Sequence, residues 1–261
     1  MVFQALLAIL SGSMVGLLLG ATGGGGSLIA IPLLVYVLGV PVQKATALSL
    51  VVIGYSALFG AWQAHRIGKV RGLAAVIFSG TGMIGAWLGA HGQHLVTGEM
   101  VLFLFGLLLC GISIWTLLKG RAHRPLNVEE GCAKTFSFGC ASKALGIGLG
   151  VGLLTGFFGV GGGFLIVPAL FFVMGFPMKM AVGTSLLIIA LISIGGIIGH
   201  LEKVQIDYVL AGLILGGSLV GMLVGTRIGK TTDEDFIQKV FAYLAGGTGL
   251  FLLVDNGIGL L

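Results

Sequence analysis

A chain of 261 residues that is 57% hydrophobic and 9% charged, with a mean hydropathy of +1.12, cannot cover its own surface in water, because a soluble domain carries roughly 25% charged residues. A soluble enzyme or nucleic-acid binder is thereby excluded, and the net charge of +5 reads as membrane topology. The fold class expected is an all-α polytopic membrane protein.

Apolar runs fall at about 4–20, 27–43, 46–64, 73–91 and 100–118, then at 143–158, 162–178, 181–199, 208–226 and 237–254. Each is near the ~17–25 residues that a spanning helix needs. Residues 1–10 hold no Lys or Arg, so a cleaved signal peptide is not expected. The long polar break is 119–142, which divides the chain into a first membrane repeat (1–118), a connecting loop and a second repeat (143–261). Cys132 and Cys140 lie in that loop, form no CxxC, and read as free thiols.

The division is supported by an internal repeat. From Gly16 the chain reads GLLLGATGGGGSLIAIPLLVYVLGVP, and from Gly152, 136 positions later, GLLTGFFGVGGGFLIVPALFFVMGFP. Gly16, Gly20, Pro32, Gly39 and Pro41 recur as Gly152, Gly156, Pro168, Gly175 and Pro177. Further on, Ala45–Ser49 matches Ala181–Ser185, and Gly85 and Gly89 match Gly221 and Gly225. Most of the 48 glycines, about 18% against a usual ~7%, suit close helix approach. A cluster of adjacent glycines is different, because glycine is costly to order inside a helix. Finding that cost twice, in register, is the main functional clue.

Charge placement orients the chain. If each segment crosses once, twelve of the 14 Lys and Arg fall on one side, and only Lys44 and Lys203 on the other. The basic side is then cytoplasmic, with both termini external and the 119–142 loop inside, in the inner membrane. A fallback has six crossings, with the first two segments of each repeat forming a re-entrant hairpin. Parity is the same. Five segments per repeat invert the second repeat relative to the first, an arrangement used by secondary transporters with discontinuous helices around a midplane site.

At these residues the chain resembles the sulfite exporter TauE/SafE family of membrane transporters. The resemblance rests on the doubled glycine element, the proline that follows it, the Ala…Thr-Ser-Leu helix start, and the basic elements at His65 and His200. It covers nearly the full chain. It implies export of sulfite or movement of sulfonates and related small anions.

An anion leaving water needs replacement donors, and backbone N–H groups in glycine clusters ahead of helices can supply them. Gly23, Gly24, Gly25, Gly26 and Ser27, with Gly159, Gly161, Gly162 and Gly163, are the expected substrate-binding set, joined by the hydroxyls of Ser49, Thr184 and Ser185. Pro32 and Pro168 are expected to break or kink their helices. The alternative is that the glycines are packing surfaces and the hydroxyls bond their own helices. Replacing Gly25 or Gly161 with a bulkier residue is expected to abolish transport and leave assembly intact. All nine acidic residues sit at segment ends or in loops, which disfavours a cation substrate and an intramembrane carboxylate relay. His65 and His200 are the titratable candidates for proton linkage, although each ends a segment as an interfacial residue would. There is no P-loop, HExxH or GxSxG, so neither an ATP-driven pump nor an enzyme is expected, and no cofactor or metal. The partners expected are a small anion and the lipid bilayer, with a coupling proton or ion and a homo-oligomer left open. Nucleic acid is not among them. A passive anion channel, or a non-transporting scaffold, is the competing reading.

Overall fold

In hydrocarbon every backbone N–H and C=O must find its partner within the protein, so apolar runs of this length become helices. The computed structural model describes residues 2–119, 138–201, 207–231 and 234–259, and all its regular elements among these are helical. In chain order they are α1 (Val2–Thr22), α2 (Gly26–Pro32), α3 (Val42–Arg66), α4 (Gly72–Gln93), α5 (Gly98–Lys119), α6 (Phe138–Phe158), α7 (Gly163–Pro168), α8 (Met178–Leu201), α9 (Tyr208–Thr231) and α10 (Glu234–Gly259). Seven of them are long and apolar enough to cross a membrane by length and composition: α1, α3, α4, α5, α6, α8 and α9. Large apolar side chains such as Leu10, Leu73, Leu107, Val209 and Leu250 face outward, as a bilayer-embedded surface requires.

Of the other three expected segments, α10 has a shorter apolar stretch among its described residues, Ala242–Asp255, and two are not full spans. The apolar helices Gly26–Val37 and Gly163–Val173 are about 18 and 16 Å long at ~1.5 Å per residue, roughly half the ~30 Å hydrocarbon core. The glycine clusters take up the residues that a full span would have needed. Pro32 and Pro168 do not end these helices. The chain stays helical through each and widens into a π-helical turn, Leu33–Val37 and Ala169–Val173, which absorbs the amide that proline lacks. The discontinuity falls at the glycines instead.

Packing follows the 136-residue offset. In α1, a Cβ on Gly12, Gly16 or Gly20 would run into the backbone of Ile214, Ser218 or Met222 in α9. In α6, a Cβ on Gly148, Gly152 or Gly156 would run into that of Phe78, Gly82 or Ala86 in α4. These are the same three contacts moved by 136 positions. Backbones this close need residues without side chains, the membrane form of helix packing. Both pairs run parallel. In contrast, α3 lies antiparallel to α8, with Gly54 beside Ser193 and Gly196 beside Leu50, and α5 lies antiparallel to α10, with Ser113 Oγ donating to the Ala242 carbonyl. These four directions suit a chain whose successive segments alternate, and they are compatible with an inverted repeat. α3 and α8 are the most buried spans and form the centre.

Cys140 is disulfide-bonded, against the expectation of a free thiol; its partner, like most of the connecting loop, lies outside the described residues. Sequence spacing alone does not fix the Cα separation that decides pairing.

Candidate functional site

The glycine clusters are the turns between a full span and a half-length helix. After α1 the chain reverses at Gly23, φ +74°, and α2 folds back along α1, with Gly26 against Val15 and Leu19. After α6 the reversal uses Gly159, Gly161 and Gly162, at φ +68°, +65° and +61°. These are left-handed conformations in which an L side chain is strained. Both turns are buried, and they meet. A Cβ built on Gly163 would lie 2.7 Å from the Cα of Gly24, and one on Gly24 would overlap the Gly163 carbonyl.

Each cluster is also tied to the other half of the chain. Ser185 Oγ donates to the Gly23 carbonyl at 3.0 Å, and Ser49 Oγ donates to the Gly159 carbonyl. Gly23 packs on Val182 and Gly159 on Thr46, again 136 apart. The hydroxyls of Ser49 and Ser185 are thus brought to the clusters, with their protons engaged, whereas Thr184 is turned to the start of α4. Ser27 Oγ donates to the Gly24 carbonyl at 2.6 Å, and Thr184 Oγ1 accepts from the Arg71 amide at 3.1 Å. His65 and His200 part company: His65 is exposed at the end of α3, whereas His200 is fully buried, its Nε2 3.0 Å from the Gly156 carbonyl.

The two clusters differ in what their amides face. Thr22 Oγ1 accepts from the amides of Gly25 at 2.5 Å and Gly24 at 3.3 Å, closing the first turn. At the matching position of the second turn stands Phe158, which has no acceptor to offer. Among the described residues no acceptor is found for the amides of Val160 and Gly161. Thr155 stands where the first repeat has Leu19. Its Oγ1 is buried, has no hydrogen-bond partner, and lies where a Cβ on Gly162 would fall. Buried polar groups are normally paired, and this turn leaves two amides and one hydroxyl without a partner among the described residues.

A cavity of about 100 Å³ approaches the first cluster from the end that carries Arg66, Lys69, Lys179 and Arg227. Gly20, Val182 and Gly183 form its inner wall, and Gln63, Lys69, Lys179 and Thr226 are its polar lining. Thr22, Thr155, Gln63 and Thr226 were not singled out from sequence. The signal that finds them is the comparison of positions 136 apart, where a polar residue in one copy replaces an apolar or small one in the other.

Long apolar helices, two half-length helices meeting at glycine turns, and a polar-lipped cavity leading inward define a polytopic membrane transport protein. The family model for Sulfite exporter TauE/SafE matches residues 8–252, and the chain belongs to that family. It is 34% identical to a probable membrane transporter protein of Xylella fastidiosa, over 97% of both chains. In Bacillus subtilis it is 27% identical to the probable membrane transporter protein YdhB, over 95% of this chain and 100% of YdhB, and 30% identical to the probable membrane transporter protein YunE, over 92% and 91%. No solved structure matches the chain.

Proposed function

We propose that the chain is a secondary transporter of sulfite, organosulfonates or related small anions, working by alternating access around the paired glycine turns. The observation that carries this reading is the second turn: the amides of Val160 and Gly161 and the hydroxyl of Thr155 are buried together without a partner. Backbone amides in a glycine turn form a concave anion receptor, and a neighbouring hydroxyl adds a donor. No acidic residue lies within the helices that meet there, which suits an anion. With the basic ends cytoplasmic, the cavity faces the cell interior and both termini face out. The 1–118 and 143–261 units are then the two inverted halves, and the site lies between them.

The test is flux from proteoliposomes loaded with sulfite, sulfoacetate, sulfate or chloride, with and without a pH gradient. Saturable sulfite or sulfonate flux is expected, and Thr155→Val, which keeps the volume and removes the hydroxyl, lowers it at least tenfold. Flux that does not saturate makes the protein a channel, and silence toward every anion refutes transport of this class.

A further inference from the structure

The 136-residue offset sets each residue of the cavity beside a counterpart at the opposite end of the molecule, and the two ends are not alike. The cavity is walled by Ala21, Ala64 and Gly229. Their counterparts are Phe157, His200 and Gln93. At the far end these larger residues fill the matching space. His200 is fully buried and its Nε2 lies 3.0 Å from the carbonyl of Gly156, the counterpart of the cavity-wall Gly20. Gln93 is fully buried and its Nε2 donates at 2.7 Å to Oγ1 of Thr46, the counterpart of the cavity-wall Val182. The hollow at one end therefore comes from three side chains that are small there and large at the other.

Charge is equally one-sided. Lys179 and Lys69 line the cavity, and among the described residues no acidic one does; the residues 136 positions before Lys179 and after Lys69 are Gln43 and Gln205. Two ammonium groups without a carboxylate attract an anion. Apart from Gln63 and Thr226 the remaining wall is apolar, with Ile67, Met178, Val182 and Leu186. The volume of about 100 Å³ is several times the ~10–15 Å³ that holds one water on this measure, enough for an ion of a few heavy atoms. An apolar wall does not solvate a dianion stripped of water, but it accepts a short alkyl chain.

We propose that this cavity is a loading site for a small alkyl monoanion, such as a two- or three-carbon sulfonate or carboxylate, built at only one of the two ends. Lys69 and Lys179 hold the charged head, and Ile67, Met178, Val182 and Leu186 take the alkyl part before the ion passes Gly183 to the glycine turns. The inference rests on the transport reading above. It adds a substrate class and a direction of easy entry, from the lysine-bearing end.

The experiment measures ethanesulfonate flux in inverted membrane vesicles and in intact cells, beside inorganic sulfite and sulfate. The half-saturating concentration should be lower when the anion is presented at the lysine-bearing end. Lys69→Gln with Lys179→Gln should raise it about tenfold at that end, while Lys69→Arg with Lys179→Arg keeps it and Lys44→Gln, at the opposite end, leaves it unchanged. Ala64→His, which installs the counterpart residue, should block entry. Parental behaviour of the double Gln variant overturns the loading site and leaves the transport reading standing, even where Ala64→His fails to fold. Equal half-saturation by sulfate and ethanesulfonate overturns the alkyl-monoanion class. Absence of saturable flux for all three anions in the parent protein sinks both.

Discussion

Ser185 directs its hydroxyl at the carbonyl of Gly23, 162 positions earlier in the chain, at 3.0 Å and at that of Val182 in its own helix at 2.8 Å. Ser49 does the same toward Gly159 and Thr46. Each long central helix thus holds the glycine turn that belongs to the other half. A glycine turn has no side chain of its own to anchor it, so position has to come from outside. Removing one hydroxyl by Ser185→Ala leaves a buried carbonyl without this donor, a loss of about 1 kcal/mol. Thermal unfolding in detergent should show a lowered midpoint for either Ser→Ala variant and a larger, non-additive loss for the pair. Additive losses would mean that the two turns are held independently.

The glycine ladder makes a sharper prediction about assembly. A Cβ at Gly16 would overlap the Ser218 carbonyl, and one at Gly152 that of Gly82, whereas Gly150 has open space around it. Gly16→Val or Gly152→Val should therefore separate α1 from α9 or α6 from α4 and reduce folded yield severely. Gly150→Ala should be neutral or stabilising by ~0.5–1 kcal/mol, since alanine costs less backbone entropy in a helix. Gel filtration of the three variants separates these outcomes.

The helical class, the duplication and the positions of both glycine turns were legible in the sequence, because composition and a repeated motif report burial and backbone geometry directly. The half-length α2 and α7 were not. Their apolar runs continue through residues that the structure places in turns and in the extended approach to α3 and α8, and hydropathy does not distinguish a buried turn from a buried helix. The fate of Pro32 and Pro168 was also out of reach, since a proline signals a missing amide but not whether the helix breaks or widens around it. Ser49 and Ser185 were expected to offer donors to an anion, and in the fold their protons go to backbone carbonyls, which the sequence does not reveal. Lys69 and Lys179 look like any topogenic lysines until α3, α8 and α9 bring them around one cavity.

Gln93 and His200 close the end opposite that cavity, and the closure is open to a direct test. Gln93 bonds Thr46, and His200 bonds the backbone of Gly156 and stacks edge-on with His94, ring centroids 5.5 Å apart. In a background with Cys110, Cys132 and Cys140 replaced by Ser, a cysteine at Ala47, the counterpart of the cavity-wall Gly183, is buried. A membrane-impermeant maleimide should not label Ala47→Cys in this background. Adding Gln93→Ala or His200→Ala should raise the labelling rate at least tenfold from that face. Equal labelling with and without the plug residues would show that something else seals this end.

Gly25 and Gly161 hold equivalent positions in the two turns, and the structure separates the consequences of changing them. Gly25 has φ −67° and ψ −24°, a conformation any residue adopts. Gly161 has φ +65°, and a Cβ there would lie 2.7 Å from Cγ2 of Ile53. An alanine at Gly161 therefore carries about 1–2 kcal/mol of backbone strain before the crowding against Ile53 is added. The expectation that both substitutions spare assembly therefore meets backbone strain at Gly161 and none at Gly25. Gly25→Ala should keep a near-parental melting temperature and report on transport cleanly, while Gly161→Ala should lower both the melting temperature and the flux. Ile53→Ala, at a fully buried site, is itself costly, so the pair Gly161→Ala with Ile53→Ala is compared with Ile53→Ala alone. Relief of the crowding but not of the strain should recover only part of what Gly161→Ala loses. Full recovery would assign the whole cost to Ile53, and no recovery would assign it to the backbone.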